Sequence, residues 1–220
     1  MKKDMEILES ARIFKGIEPE ELYGLLKLFG AVEKSYRKGE YILKAGESSQ
    51  RVGLILEGKV HILQDGFWGN RNILSVLERG MNFGEAYACA PGAKLSINVV
   101  AEADCRILFL DVSSAFKVTM AECQDSVKTL ILNLLEDMAF KNVYFTEKIT
   151  HVGERTTRGK IISYLSSQKD KWGSTDFYIP FSRQELADYL FVDRSGLSAE
   201  LCRMRDEGLL WFEKNHFRLY

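Results

Sequence analysis

Arg194, Ser195, Gly196, Ser198 and Ala199 stand within six residues of one another, directly after Asp193. An arginine among hydroxyls and small side chains on one helical turn suits recognition of base edges. Its guanidinium can donate to O6 and N7 of one guanine at once, worth roughly 1–3 kcal/mol of discrimination between bases. Gly196 and Ala199 would let the backbone approach a groove closely. Ser182 is a helix cap, and Glu185 three residues later completes a capping box. Leu186, Ala187 and Leu190 give that first helix an apolar face, and Phe191-Val192 breaks it. Asp193 caps a second helix, whose inward stripe is Leu197, Leu201 and Met204. Gly208 ends it. Two short helices joined by a tight turn, the second carrying Arg194 outward, read as a helix-turn-helix.

The flanking residues extend the pattern. Asp176-Phe177-Tyr178-Ile179-Pro180-Phe181 reads as a short strand ending at a proline. Trp211 to Tyr220 alternates apolar and polar around Lys214-Asn215, which reads as a closing hairpin. Helix, strand, helix-turn-helix and hairpin is the order of a winged helix. Between Arg155 and Tyr220 there are 11 Lys and Arg against 9 Asp and Glu, net +2, whereas the whole chain is −1. Nucleic-acid binding would rest on a local patch of Arg155, Arg158, Lys160, Arg183, Arg194, Arg203 and Arg205. Phe191 is the discordant residue. Such turns commonly hold glycine, and phenylalanine must avoid positive φ or carry strain. A ligand-binding dimeric interaction protein with a degenerate DNA-binding domain is therefore the alternative.

At 220 residues, 46% hydrophobic and 28% charged, the chain has room for two globular domains. It has neither a membrane-spanning run nor a signal-peptide core after Met1-Lys2-Lys3-Asp4, so a cytoplasmic protein with no membrane partner is expected. Cys89, Cys105, Cys123 and Cys202 show no close metal-ligand spacing and read as reduced, packed thiols. Redox sensing through Cys89 or Cys105 is the minor alternative. His61, His151 and His216 are far apart and read as structural or solvated. With no catalytic triad, metal cluster or phosphate loop in the sequence, no enzyme, metal or cofactor is expected.

Before the reader lies a β-rich half. Glu18-Pro19 opens a helix through Leu22, Leu25, Leu26 and Phe29. Short β-rich runs at 41–43, 52–56, 60–63, 72–77, 97–101 and 105–110 are separated by Gly46, Gly58, Gly66, Gly69 and Gly80. Strands at this spacing predict a jelly roll or barrel. From about Ser113 to Val152 the pattern is a long helix, with Ile131, Met138, Phe145 and Val152 repeating every seven residues. Leu134 and Leu135 widen that stripe, and Lys141 and Lys148 interrupt it. A sustained heptad favours pairing of two helices, with packing on the chain's own β domain as the other solution. The segment 151–157, with Gly153 at its centre, reads as a hinge.

Lys38-Gly39-Glu40, Ala45-Gly46-Glu47, Leu54 to Val60 and Phe83-Gly84-Glu85 resemble the cyclic-nucleotide-binding jelly roll. With the C-terminal helix-turn-helix, the chain resembles the catabolite activator protein/FNR family of bacterial transcription regulators over about 14–220. The resemblance implies an α+β chain in three parts: a jelly-roll sensor over 1–111, a long dimerisation helix over 112–152, and a winged helix-turn-helix over 153–220. It implies a homodimer paired through Ile131, Leu134, Leu135, Met138 and Phe145. Palindromic double-stranded DNA and RNA polymerase are the implied partners. The DNA contacts would come from Arg183, Arg194, Ser195, Gly196, Ser198, Ala199 and Arg203. An effector pocket would be bounded by Phe83, Gly84, Glu85, Tyr87, Leu95, Ser96, Phe145 and Thr146.

The departures are specific. Leu95 falls where cyclic-nucleotide-binding members carry the phosphate-holding arginine, and Phe145 replaces one of two hydroxyl residues that touch adenine. These argue against cAMP and for another small-molecule effector, uncharged or weakly anionic. No N-terminal cysteine set is present for an iron–sulfur cluster. In the reader, Ser195 and Ala199 stand where the family usually has glutamate and arginine.

Overall fold

The computed structural model describes residues 2–65, 71–112 and 125–220. The expected helix start at Ser113, the turn glycines Gly66 and Gly69, and Cys123 lie outside them. Two compact units are present, 1–141 and 142–220, and they divide inside the long helix rather than at either of its ends.

In the first unit, helix α1 (Lys2–Ser10), a 3₁₀ turn at Arg12–Phe14 and helix α2 (Pro19–Leu28) precede the strands. Proline stands at the first turn of α2, where its missing N–H costs nothing. Eight strands follow: β1 (Val32–Tyr36), β2 (Tyr41–Leu43), β3 (Arg51–Glu57), β4 (Lys59–Asp65), β5 (Arg71–Glu78), β6 (Asn82–Phe83), β7 (Asn98–Ala101) and β8 (Cys105–Asp111). A short helix, α3 (Glu85–Ala88), lies between β6 and β7. They form two antiparallel sheets, β1-β8-β3-β6 and β2-β7-β4-β5, the jelly-roll arrangement. Strand β3 is apolar on both faces because it serves two cores. Val52, Leu54 and Leu56 join a core with α1, α2 and Val127, Leu130 and Leu134 of the long helix α4 (Asp125–Val152). Ile55 instead joins Val60, Phe83, Val99, Ile107 and Phe109 between the sheets. Strand β8 divides in the same way, with Leu108 and Leu110 to the helices and Ile107 and Phe109 to the interior.

This burial moves the apolar seam of α4. Leu134 is 7% exposed and belongs to the chain's own core, and Ile131 packs against it. Met138 is also partly buried. The outward apolar residues are instead Leu132 (59% exposed), Leu135 (61%), Val143 (58%) and Ile149 (68%), with Ala139 exposed between them. Only Leu135 and Phe145 of the expected pairing set remain on the surface. The displacement is one residue, which on an α-helix is about 100° of rotation.

The second unit contains the end of α4, then α5 (Thr157–Trp172), β9 (Asp176–Tyr178), α6 (Arg183–Leu190), α7 (Arg194–Asp206), β10 (Leu210–Glu213) and β11 (His216–Leu219). The three strands pair in the order β10-β11-β9. Ile161, Leu165, Leu186, Leu190, Leu197, Leu201, Met204 and Phe217 form one core. The hairpin turn at Lys214-Asn215 is held from outside: the Asn215 side chain donates to the Ile179 carbonyl, and the Ile179 N–H donates to the Asn215 carbonyl. Sequence-local turn preference is therefore not what fixes it.

Candidate nucleic-acid interface and sensor site

The reader is assembled by local rules. The Ser182 hydroxyl accepts the Glu185 N–H, and the Glu185 carboxylate accepts the Ser182 N–H at 2.7 Å. Asp193 accepts the Gly196 N–H at 2.8 Å and the Ser195 hydroxyl. These bonds hold its carboxyl below the usual range, so the cap stays ionised at the helix N-terminus. At the other end of α7 the Leu209 N–H reaches the Met204 carbonyl and Gly208 adopts φ +75°, a Schellman closure. Leu197 and Leu201 are fully buried and Met204 nearly so, which turns Arg194, Ser195, Gly196 and Ala199 to solvent. Ser198 is half-buried.

Phe191 takes the left-handed conformation, φ 50° and ψ 54°. That conformation costs on the order of 1–3 kcal/mol for a bulky residue. The turn is closed by Val192 N–H to the Ala187 carbonyl at 3.0 Å, and Lys148 Nζ stands 4.8 Å over the Phe191 ring. The turn between α6 and α7 is thus formed despite its phenylalanine.

The basic patch is thinner than the sequence suggests. Arg158 donates Nε to Glu200 at 2.6 Å and both terminal nitrogens to Glu207 at 2.8 Å. Arg203 pairs with the other Glu200 oxygen at 3.0 Å. Lys160 donates to the Leu190 carbonyl, and Arg205 pairs with Asp206. The Arg183 guanidinium lies over the Phe212 and Phe217 rings and donates to the Lys214 carbonyl. It therefore fastens the wing to α6. Of the seven cations, Arg155 and Arg194 alone have no internal partner among the described residues. Sequence reading missed Glu200, a 7% exposed carboxylate on the reading helix that holds two of these arginines.

The expected effector residues do not form one lining. The Phe83 side chain is 1% exposed and presses on the Gly53 backbone, where a Cβ would come within 2.3 Å of its ring. Leu95 is 3% exposed, and its backbone bonds Gly46 and Glu47. Gly84 caps α3 at φ +81°. The Tyr87 hydroxyl meets the Ser96 hydroxyl at 2.7 Å and accepts the Ser96 N–H at 3.3 Å. Phe145 and Thr146 belong to the second unit, where the Thr146 hydroxyl donates to the Asn142 carbonyl. Glu85 is 6% exposed and already engaged. Lys141 Nζ donates to Glu85 Oε1 at 2.8 Å, Asp137 Oδ2 at 2.7 Å and the Asn82 carbonyl at 2.9 Å. The Asn82 amide donates to Glu85 Oε2 at 3.2 Å and Asp137 Oδ2 at 2.9 Å. Lys141, which interrupts the heptad in sequence, is thereby explained.

The thiols and imidazoles are structural. Burial pushes the Cys89 and Cys105 thiols up, and Cys105 donates to the Lys59 and Ala103 carbonyls. His151 is buried against Tyr189 and Tyr164, while His216 stacks on Tyr178 and pairs with Asp176. His61 stands 3.8 Å from Glu102.

A jelly roll with helices on one sheet, followed by a long helix and a winged helix-turn-helix, defines a two-part class of sensor and reader. Residues 33–122 match the model of the cyclic nucleotide-binding domain. A CRP-like cAMP-activated global transcriptional regulator of Mycobacterium tuberculosis is 33% identical over 91 residues, 41% of this chain and 40% of that protein. The chain thus spans two fifths of the curated relative it matches. The solved structure of CprK complexed with OCPA covers 91% of this chain and 89% of its own, with a TM-score of 0.64 at 17% identity. The c-di-GMP responsive global regulator CLP of Xanthomonas campestris covers 90% and 99%, with a TM-score of 0.59 at 14% identity. The chain belongs to the catabolite activator protein/FNR family.

Proposed function

We propose that this protein is a homodimeric, sequence-specific DNA-binding transcription regulator that acts in the cytoplasm as a binding protein, with no catalytic role. The observation that carries the reading is α7: a doubly closed helix, inward on Leu197, Leu201 and Met204, that leaves Arg194 unpaired beside Ser195 and Ala199. Ser195 and Ala199 remain the neighbours of one base-reading arginine, while Arg183 holds the wing and Arg203 is available to phosphate after exchanging its surface pair with Glu200. The outward stripe of Leu132, Leu135, Ala139, Val143 and Ile149 is the surface on which two α4 helices would pair. Pairing would present two α7 helices to half-sites about one helical turn apart, with RNA polymerase as the downstream partner.

For the sensor, the Mycobacterium relative is named for activation by cAMP. Here a buried leucine stands at the phosphate position and Glu85 is bound to Lys141. An effector other than cAMP fits these residues better, because an apolar Leu95 leaves a cyclic phosphate without its cation. No described helix is long and apolar enough to cross a membrane.

The test is selection from a random duplex pool with the purified full chain. Enrichment of an inverted repeat with half-sites about 10 base pairs apart supports the reading. Recovery of no shared sequence at moderate salt would sink it and favour the interaction-module alternative. Titration with cAMP is expected to give no micromolar binding dependent on Glu85.

A further inference from the structure

Four side chains from two elements close on one another in the sensor unit. Asn82 and Glu85 lie at the β6–α3 corner, and Asp137 and Lys141 lie one turn apart on α4. Each carboxylate is more than nine-tenths buried. The Lys141 ammonium spends its three protons on Glu85, Asp137 and the Asn82 carbonyl. The Asn82 amide spends both of its protons on the two carboxylates. A buried ion pair of this kind contributes little net stability, but losing one partner strands a charge, so it fixes geometry. Nearby, the Tyr87 hydroxyl accepts the Ser96 N–H and bonds its hydroxyl. Both polar ends of the expected pocket are therefore satisfied by the chain itself.

We propose that the Asn82–Glu85–Asp137–Lys141 network is an internal latch that takes the place of an effector. It fixes α4 to the sensor domain, and with it the DNA-competent form, in the absence of a small molecule. The inference rests on the regulator reading. In it, Lys141 is a positioning residue: it acts on DNA through α4, and Glu85 is its anchor. The Lys141 stem lies on the side of α4 away from the Leu132–Leu135 stripe, so the latch and the pairing surface do not compete for one face.

The test uses the full chain, shown free of ligand by native mass spectrometry, and compares wild type with Lys141→Met, Lys141→Arg and Asp137→Asn. Amide hydrogen exchange over 82–88 and 130–141 reads the latch directly, and titration of the selected duplex reads its consequence. Lys141→Met is expected to exchange at least tenfold faster in both segments and to bind the selected duplex at least tenfold more weakly. Protection of α6 and α7 should stay at the wild-type level. Lys141→Arg should retain both properties, and Asp137→Asn should fall between. Unchanged exchange in Lys141→Met would overturn the proposal, as would ligand-free wild type that binds the selected duplex only after a small molecule is added. If selection recovers no sequence, the regulator reading fails and the exchange result alone decides the latch.

Discussion

Replacing Arg194 by alanine separates base reading from mere attraction to DNA. Arg194 is exposed and has no ion pair among the described residues, so its loss should leave folding stability within about 0.5 kcal/mol. A bidentate arginine–guanine contact is worth roughly 1–3 kcal/mol, and a dimer makes it twice, so specific binding should weaken by about 2–6 kcal/mol. At about 1.4 kcal/mol per decade, that is on the order of 30-fold to 10⁴-fold. Non-specific binding depends on phosphate contacts and should lose far less. The assay is fluorescence anisotropy at one fixed salt concentration, on the selected duplex and a scrambled one. Arg203→Ala is the control. Its guanidinium is shared with Glu200, so its removal should weaken both duplexes alike and lower the salt slope by about 1 per phosphate left without its arginine. Equal losses on both duplexes for Arg194→Ala would refute base reading by α7.

Three further outcomes follow from burial. The Tyr164 hydroxyl is buried with no hydrogen-bond partner, so Tyr164→Phe should be neutral or stabilising by about 1 kcal/mol in chemical denaturation; a destabilisation above about 1 kcal/mol would reveal a partner. Leu134→Ala should cost about 2–4 kcal/mol as a core cavity without changing oligomeric state, whereas Leu135→Glu should yield monomers in analytical ultracentrifugation at little cost to folding. Burial lowers the His151 pKa, opposed by Glu147 and reinforced by Lys171. The unfolded chain takes up the proton near pH 6.5 while the folded imidazole resists it, so this contribution is complete above about pH 6.5 and is lost as pH falls towards the folded value. Wild type should therefore lose more stability than His151→Gln between about pH 7 and pH 5, and parallel pH profiles would contradict the assignment.

The helix-turn-helix was legible because its signals are local: Ser182 with Glu185, Asp193 with Gly196, and the Leu197–Leu201–Met204 stripe all act within one or two turns. The β runs were legible for the same reason, apart from β1, β6 and α3, the last two of which are only two and four residues long. Helix α1 was not, because only Ile7 and Leu8 among its residues are buried. The pairing seam was misplaced because 130–135 is apolar nearly all round, Leu130 and Leu134 inward and Leu132 and Leu135 outward, so periodicity offered two faces. The ion networks could not be read at all. Glu85 meets Lys141 across 56 residues, and Glu200 meets Arg158 across 42, with no sequence period linking them.

The central claim is that α7 reads base edges through Arg194. Methylation protection at guanine N7 on the selected duplex tests it most directly. One strongly protected guanine in each half-site is predicted with wild type, and loss of that protection with Arg194→Ala at protein concentrations that still saturate the duplex. Protection that survives the substitution, or a bound duplex with no protected guanine, would contradict it.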